Sequence, residues 1–185
     1  MVKDLIFALW FFLPAGVANL TPILIAQIKC LKKYEAPMDF SLTFRGKRVF
    51  GAHKTWRGFI SGVIAATLIL YLQKYCIVHF DWFTSFKRSV DYASLQVLVV
   101  GPLFGIGALG GDAVESFLKR QRSIVPGGSW FPFDQTDYII GGALAIAPFI
   151  SLHIWQYIWL IGVWLVVHIV ASTIGYLLGI KDRPI

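Results

Sequence analysis

The chain has 185 residues, 57% of them hydrophobic and only 15% charged, with 17 Lys+Arg against 10 Asp+Glu. Soluble domains carry about 25% charged residues, so this composition excludes an ordinary soluble fold. An aromatic content of 16% and a mean hydropathy of +0.67 exclude disorder, and two cysteines cannot build a disulfide framework. What remains is a small polytopic membrane protein.

An uncharged apolar run of roughly 18 residues or more can cross ~30 Å of hydrocarbon as a helix, which satisfies its own backbone there. The first such run, Leu5 to Ile28, predicts a span over about residues 4–28. A secretory signal is the competing reading, but the run ends in Gln27-Ile28-Lys29 without a small-residue cleavage site. A polar stretch over about 29–56 follows. The next run is shorter; its span, about 57–78, requires Lys74 to snorkel and the helix to continue through Tyr75-Cys76-Ile77-Val78. Tyr92 to Gly111 seeds a third span, about 93–118, and a second polar stretch covers about 119–136. Tyr138 to Ile180 is charge-free and would be ~65 Å long as one helix. It therefore predicts two spans, about 137–152 and 156–180, with a break near Pro148 to Gln156. The expected fold class is all-α: one membrane-embedded domain, 1–185, with five transmembrane helices and two cytoplasmic loops.

Orientation follows from the cations. Alternating sides collect both polar stretches and the C-terminal tail on one face. That face carries Lys29, Lys32, Lys33, Arg45, Lys47, Arg48, Lys54, Arg57, Lys119, Arg120, Arg122, Lys181 and Arg183, against Lys3, Lys74, Lys87 and Arg88 opposite. The positive-inside rule puts the N-terminus outside, and the C-terminus and both loops in the cytoplasm. Cys30 and Cys76 then fall at opposite ends of their spans and cannot pair. The net charge of +7 is what this topology demands. No aromatic-interleaved basic surface points to nucleic acid, although the same cations suit a polyanionic substrate.

Two motifs resemble nucleotide-binding loops. Gly105-Ile-Gly107-Ala-Leu-Gly110 matches G-x-G-x-x-G but lies inside a span, where Gly101/Gly105 and Gly107/Gly111 read as helix-packing pairs. Gly46-x4-Gly51-Ala-His-Lys54-Thr55 departs from phosphate-loop spacing by an Ala-His insertion, yet its glycines and cations can form an anion-binding turn.

Acidic residues at a membrane span are costly and therefore candidates for function. Asp112, Glu115, Ser116 and Lys119 recur at i, i+3, i+4 and i+7, on one helical face at the cytoplasmic end of the third span. Asp134 and Asp137 follow after a loop containing Pro126-Gly127-Gly128, again three residues apart. Carboxylates gathered beside Lys119 and Arg120 suit a hard divalent cation such as Mg2+, which leaves most of its shell for water and substrate phosphate. The competing reading makes Asp134 and Asp137 helix caps and pairs Asp112 with Lys119. His53, His79, His153 and His168 are scattered and offer no zinc site.

Asp112-x-x-Glu115-Ser116-x-x-Lys119-Arg120, a Pro-Gly turn and Asp134-x-x-Asp137 together resemble the signature of the phosphatidate cytidylyltransferases, or CDP-diacylglycerol synthases. Lys54-Thr55-Trp56-Arg57-Gly58 resembles a second element of that family. The smaller archaeal branch, which makes CDP-archaeol, is the more similar. Its pattern includes Pro14-Ala15, Ala18-Asn19, Pro22, Pro37-x-Asp39, Phe44-Arg45-Gly46-Lys47-Arg48, Gly51 and Asp134-Gln135-Thr136-Asp137. The loop from Gln121 to Phe133 departs from the bacterial signature, lacking its Lys-Asp and Pro-Gly-His-Gly-Gly parts.

The resemblance implies transfer of a cytidylyl group from CTP to a lipid phosphate, 2,3-bis-O-geranylgeranylglycerol 1-phosphate in archaea, with release of pyrophosphate. It implies Asp112, Asp134 and Asp137 as metal ligands, with Glu115 a weaker candidate, and Asp112, Lys119, Asp134 and Asp137 as the catalytic set. Phosphate contacts fall to Lys54, Arg57, Lys119 and Arg120, with Arg45 from the same basic loop. Thr55, Ser116 and Gly58 would supply hydrogen bonds or close approach. Asn19 would cap the lipid groove or pack between helices, and Trp56 reads as an interface anchor. Mg2+ is the expected cofactor, K+ a further candidate, and the partners are CTP, an isoprenoid or acyl lipid phosphate and the bilayer, with a second copy of the chain a further candidate. An ester-lipid CDP-diacylglycerol synthase and a small channel subunit are the alternatives.

Overall fold

Pro14 shapes the first hydrophobic run. The computed structural model describes residues 2–125 and 128–179; the expected turn at Pro126-Gly127 and the tail cations Lys181 and Arg183 lie outside them. In place of one straight helix the chain forms α1 (Val2–Phe11) and α2 (Leu13–Ala26), bent by 47°. Proline is tolerated in the first turn of a helix, where its missing N–H costs nothing, but a continuous helix would drive its ring into the preceding turn. The run therefore restarts at Leu13.

The first polar stretch is not wholly irregular. After a 3-10 turn over Lys29–Tyr34, strands β1 (Thr43–Phe44) and β2 (Lys47–Arg48) pair antiparallel with Thr43 opposite Arg48. This short hairpin is an addition to a fold that is otherwise helical, as expected. Arg45 and Gly46 both have positive φ, 52° and 75°, which is the two-residue turn whose twist matches paired strands.

Helix α3 (Trp56–His79) begins at Thr55, whose side chain accepts the Gly58 N–H at 3.2 Å. It continues through Tyr75 to Val78 as expected, and the Lys74 ammonium donates to the Leu95 carbonyl, just before the next long helix, at 3.0 Å. A 3-10 turn over Asp81–Phe86 leads to α4 (Val97–Gln121), which starts and ends a few residues later than the expected span. The long charge-free run divides into α5 (Phe133–Ile146) and α6 (Ile154–Leu177), with the break inside the expected region.

Helices α3, α4 and α6 are each long and apolar enough to cross a membrane, and the bent α1–α2 pair makes a fourth candidate. Helix α5 has 14 residues, about 21 Å, which is shorter than a hydrocarbon core.

Helix α4 sits at the centre because small residues line two of its faces. An added Cβ at Gly101 or Gly105 would lie 2.7 or 2.6 Å from the Cα of Thr67 or Val63 on α3. Gly107 and Gly111 press in the same way against Gly141 and Asp137 of α5. Gly101, Gly105, Gly107 and Gly111 are therefore helix-packing glycines, as expected of the two pairs. An aromatic cluster fills the opposite half: Phe11 and Phe12 meet Phe104 edge-on at 5.6 and 5.8 Å, and Trp164 donates to the Ala8 carbonyl at 2.8 Å.

Side-chain ties define the two ends of the bundle. Lys47 reaches from the hairpin to the Gln121 carbonyl and the Ser123 hydroxyl at the C-terminus of α4, so the two polar stretches lie together. At the other end Arg88 pairs with Asp4 at 2.8 Å, and Gln156 donates to Ser89 at 3.0 Å.

Candidate active site

Asp112 and Glu115 stand one turn apart on α4, and Asp137 approaches from the first turns of α5. What brings them together is the absence of side chains between the helices. An added Cβ at Gly111 would collide with the Asp137 carbonyl oxygen, and one at Gly141 with the Gly107 carbonyl oxygen. With hydrogen in both places, the α5 backbone lies directly on α4. One oxygen from each of Asp112, Glu115 and Asp137 then lies within 4.8 Å of the others.

Three carboxylates at this spacing repel one another unless cations intervene. The chain supplies one at Asp112, whose Oδ2 accepts from the Lys54 ammonium at 2.5 Å. Burial disfavours that ammonium, but Asp112, then Asp137 and Glu115, raise its pKa above the ordinary lysine value. The donor set is all oxygen, compact and more negative than Lys54 alone can balance, which fits a hard divalent cation such as Mg2+.

Asp134 lies in a different arrangement from the one expected. Its Oδ1 is 2.7 Å from the Lys119 ammonium, and its Oδ2 accepts the Trp130 N–H at 3.0 Å. Lys119 also sits 3.3 Å from Glu115 Oε1, so it bridges the two helices. Of the four expected metal ligands, Asp112, Glu115 and Asp137 form the compact cluster, and Asp134 stands beside it on Lys119. The reason is position along the axis: Asp134 lies one turn before Asp137, at the very start of α5, where it meets Lys119, Glu115 and the Trp130 amide.

The remaining candidates are dispersed. Arg57 donates to the Leu31 carbonyl at 2.7 Å and to Glu35 at 3.0 Å, clasping the polar stretch away from the acids. Arg120 donates to the Val125 carbonyl, and Arg45 lies over the Phe44 ring on the hairpin. Thr55 and Gly58 are engaged in the α3 cap, and an added Cβ at Gly58 would meet Pro22 of α2 at 3.0 Å. Ser116 is buried within α4. Asn19 is half-buried, one turn after Ala15, which packs beside Gly142 of α5.

An apolar groove of about 380 Å³ opens between α4 and α5 beside the acids; Val114, Leu118, Ile140 and Leu144 line it together with Glu115 and Asp137. Charged groups for polyanions and a hydrocarbon surface thereby meet at one place.

Asp39 stands out in the sequence only through the Pro37-x-Asp39 pattern. It is buried in the first polar stretch and accepts from Arg48 at 2.6 Å and from the Phe50 and Gly51 amides at 3.1 and 3.0 Å. The anion-binding turn suggested by Gly46 and Gly51 is therefore filled by the protein's own carboxylate. The signal in the sequence is one of only two acids among seven cations between residues 29 and 54, with a glycine at position 51.

The family model described as CarS-like, CDP-archaeol synthase, matches residues 1–185. Among curated relatives, the CDP-archaeol synthase of Methanoculleus marisnigri is 37% identical over 80% of this chain and 89% of its own. Those of Thermococcus kodakarensis and Methanocaldococcus jannaschii are 32% and 35% identical, each covering at least 98% of both chains. A solved structure described as "Structural insight into an intramembrane enzyme for archaeal membrane lipids biosynthesis" superposes with a TM-score of 0.70 and 25% identity, over 89% of this chain and 92% of that one.

Proposed function

The chain belongs to the CDP-archaeol synthase family, and we propose that Asp112, Glu115, Asp137 and Lys54 form the centre at which it transfers a cytidylyl group. The enzyme is a membrane nucleotidyltransferase of archaeal phospholipid biosynthesis. A phosphate oxygen of 2,3-bis-O-geranylgeranylglycerol 1-phosphate forms a new bond to the α-phosphorus of CTP. The bond from that phosphorus to the bridging oxygen breaks, and pyrophosphate leaves. The attacking phosphate is already ionised at neutral pH, so no side chain has to act as a strong general base.

Asp112, Glu115 and Asp137 are the residues that would hold Mg2+, which when bound offsets the mutual repulsion of two polyanions and the charge developing on the leaving group. Lys54 leaves Asp112 for the triphosphate or shares its protons between them. Lys119, oriented by Asp134 and Glu115, supplies a second positive charge beside the cluster. The groove between α4 and α5 receives a prenyl chain, so that the phosphate is presented at the acids while the tails remain among apolar side chains.

The site faces the cytoplasm and the N-terminus lies outside. Support comes from the cation asymmetry and from the ties at the two ends of the bundle. Helix α5 with the turn at 147–153 leads from the Lys47 end to the Ser89 end, which supports reading it as a further crossing.

The observation that carries the assignment is three carboxylates within 4.8 Å, with Lys54 on one of them and an apolar groove alongside. Purified protein incubated with labelled CTP, Mg2+ and the diether lipid phosphate should form labelled CDP-lipid, and EDTA should abolish it. Lys54→Ala should lower kcat/KM for CTP about 10²-fold or more, the common cost of losing one contact to developing charge. Unchanged CTP kinetics in that variant would remove Lys54 from the centre.

A further inference from the structure

Lys54 is delivered to Asp112 by a loop rather than by a helix, and a loop holds a side chain in place only if something holds the loop. The segment closes on itself immediately around Lys54. The Met38 amide donates to the Lys54 carbonyl at 2.8 Å, and the Trp56 amide donates to the Ala36 carbonyl at 3.0 Å. Between these two ties the chain makes an excursion of sixteen residues, 38 to 53, whose Phe40, Leu42 and Phe44 are exposed and do not anchor it in the core.

Asp39 fixes it instead. Its side chain is fully buried, and its Oδ1 accepts from Arg48 of β2 at 2.6 Å and from the Ser41 amide at 3.0 Å. Its Oδ2 accepts from the Phe50 and Gly51 amides at 3.1 and 3.0 Å. One carboxylate thus binds the start, the hairpin and the end of the excursion at once. It also steadies Phe40 and Ser41, two consecutive non-glycine residues with φ of 46° and 65°, a backbone that L residues seldom adopt. The aspartate-to-amide bond two residues on is the usual device for such a turn.

We infer that Asp39 is a positioning residue of the transfer reaction, presenting Lys54 to Asp112 and the nucleotide by clamping the loop whose ends meet at Lys54. This rests on the assignment of Lys54 to the centre. Asparagine at position 39 keeps the shape and one acceptor oxygen, but its amide cannot accept from the backbone or from Arg48. The loop then loses one side of the clamp, and Lys54 is held less closely.

The test is a cycle of Asp39→Asn, Lys54→Ala and the double variant, with kcat and KM measured for CTP and for the lipid phosphate. Asp39→Asn should lower kcat/KM for CTP by about 10-fold or more, the usual order for an outer partner that orients a site residue, and leave the lipid KM within about twofold. In the Lys54→Ala background the same change should cost less than about twofold, because residues acting through one group are not additive. A merely structural role would lower activity equally in both backgrounds and would overturn the inference. So would wild-type kinetics of Asp39→Asn while Lys54→Ala is impaired. If Lys54→Ala itself has wild-type CTP kinetics, the assignment of the centre fails, a different result from either. Should Asp39→Asn not be recovered folded, Arg48→Ala decides: it removes one exposed-side partner and should give a smaller CTP defect that likewise vanishes without Lys54.

Discussion

Asp137 and Asp134 are two carboxylates three residues apart with different surroundings. Asp137 shares its space with Asp112 and Glu115, while Asp134 is spent on Lys119 and the Trp130 amide. Asp137→Asn should therefore raise the Mg2+ concentration for half-maximal activity and lower kcat by about 10²–10³-fold. Asp134→Asn should lower kcat by about 10-fold through Lys119 and leave the Mg2+ dependence unchanged. A magnesium titration of CDP-lipid formation separates them, and equal shifts in both variants would put Asp134 back among the ligands. Asp39 yields a prediction of a different kind. Its burial alone would raise its pKa, but Arg48 and the Gly51, Phe50 and Ser41 amides outweigh that and hold it at about 2, below the ordinary 3.8. A carboxylate lowered by folding stabilises the fold above its unfolded value and loses that contribution as pH falls through the folded one. Wild-type protein should exceed Asp39→Asn by about 2 kcal/mol above pH ~4, with the difference shrinking towards pH ~2. Thermal unfolding in detergent across this range measures it.

Among the helices, the α4–α5 contact decides whether a site exists. Gly111 and Gly141 let two backbones touch, and the acids on either side follow. A methyl at position 111 has to push α5 outward. Gly111→Ala should destabilise the protein by about 1–3 kcal/mol, as overpacking does, and reduce Mg2+-dependent activity more than its stability loss explains. Gly110, one residue away on the same helix, has open space where a Cβ would go, so Gly110→Ala should retain wild-type melting and turnover. If the two variants behave alike, close helix approach is not what assembles the cluster. The bend at Phe12 belongs to this scale too: a proline two residues later turns one apolar run into two helices, and both halves contribute phenylalanines to the Phe104 cluster.

For the whole molecule, the bundle has two unlike ends. One gathers Lys47, Lys54, Lys119 and the acids; the other is tied by Arg88 to Asp4 and by Gln156 to Ser89. The native cysteines report on them, since Cys30 is exposed just past α2 and Cys76 lies near the far end of α3. In intact cells a membrane-impermeant maleimide should leave Cys30 unmodified, whereas a permeant one labels it, and an introduced Lys87→Cys should react with both. Labelling of Cys30 from outside would invert the orientation and place CTP on the wrong side of the membrane.

The membrane character, the long helices and the gathering of carboxylates at one end of α4 and α5 are legible in the sequence. Each is a matter of local composition or of spacing within one helix: charge-free runs give helices, and Asp112 and Glu115 share a face by the 3.6-residue period. Family membership was also legible, because motifs such as Lys54-Thr55-Trp56-Arg57-Gly58 are strings of neighbours. Which carboxylates meet was not. That depends on how closely α5 approaches α4 and at what rotation, and so on two glycines thirty residues apart. The hairpin, the clamp at Asp39 and the arrival of Lys54 at Asp112 likewise bring together residues up to 58 positions apart. Periodicity predicts contacts within an element; contacts between elements are set by packing, and only the tertiary structure decides those.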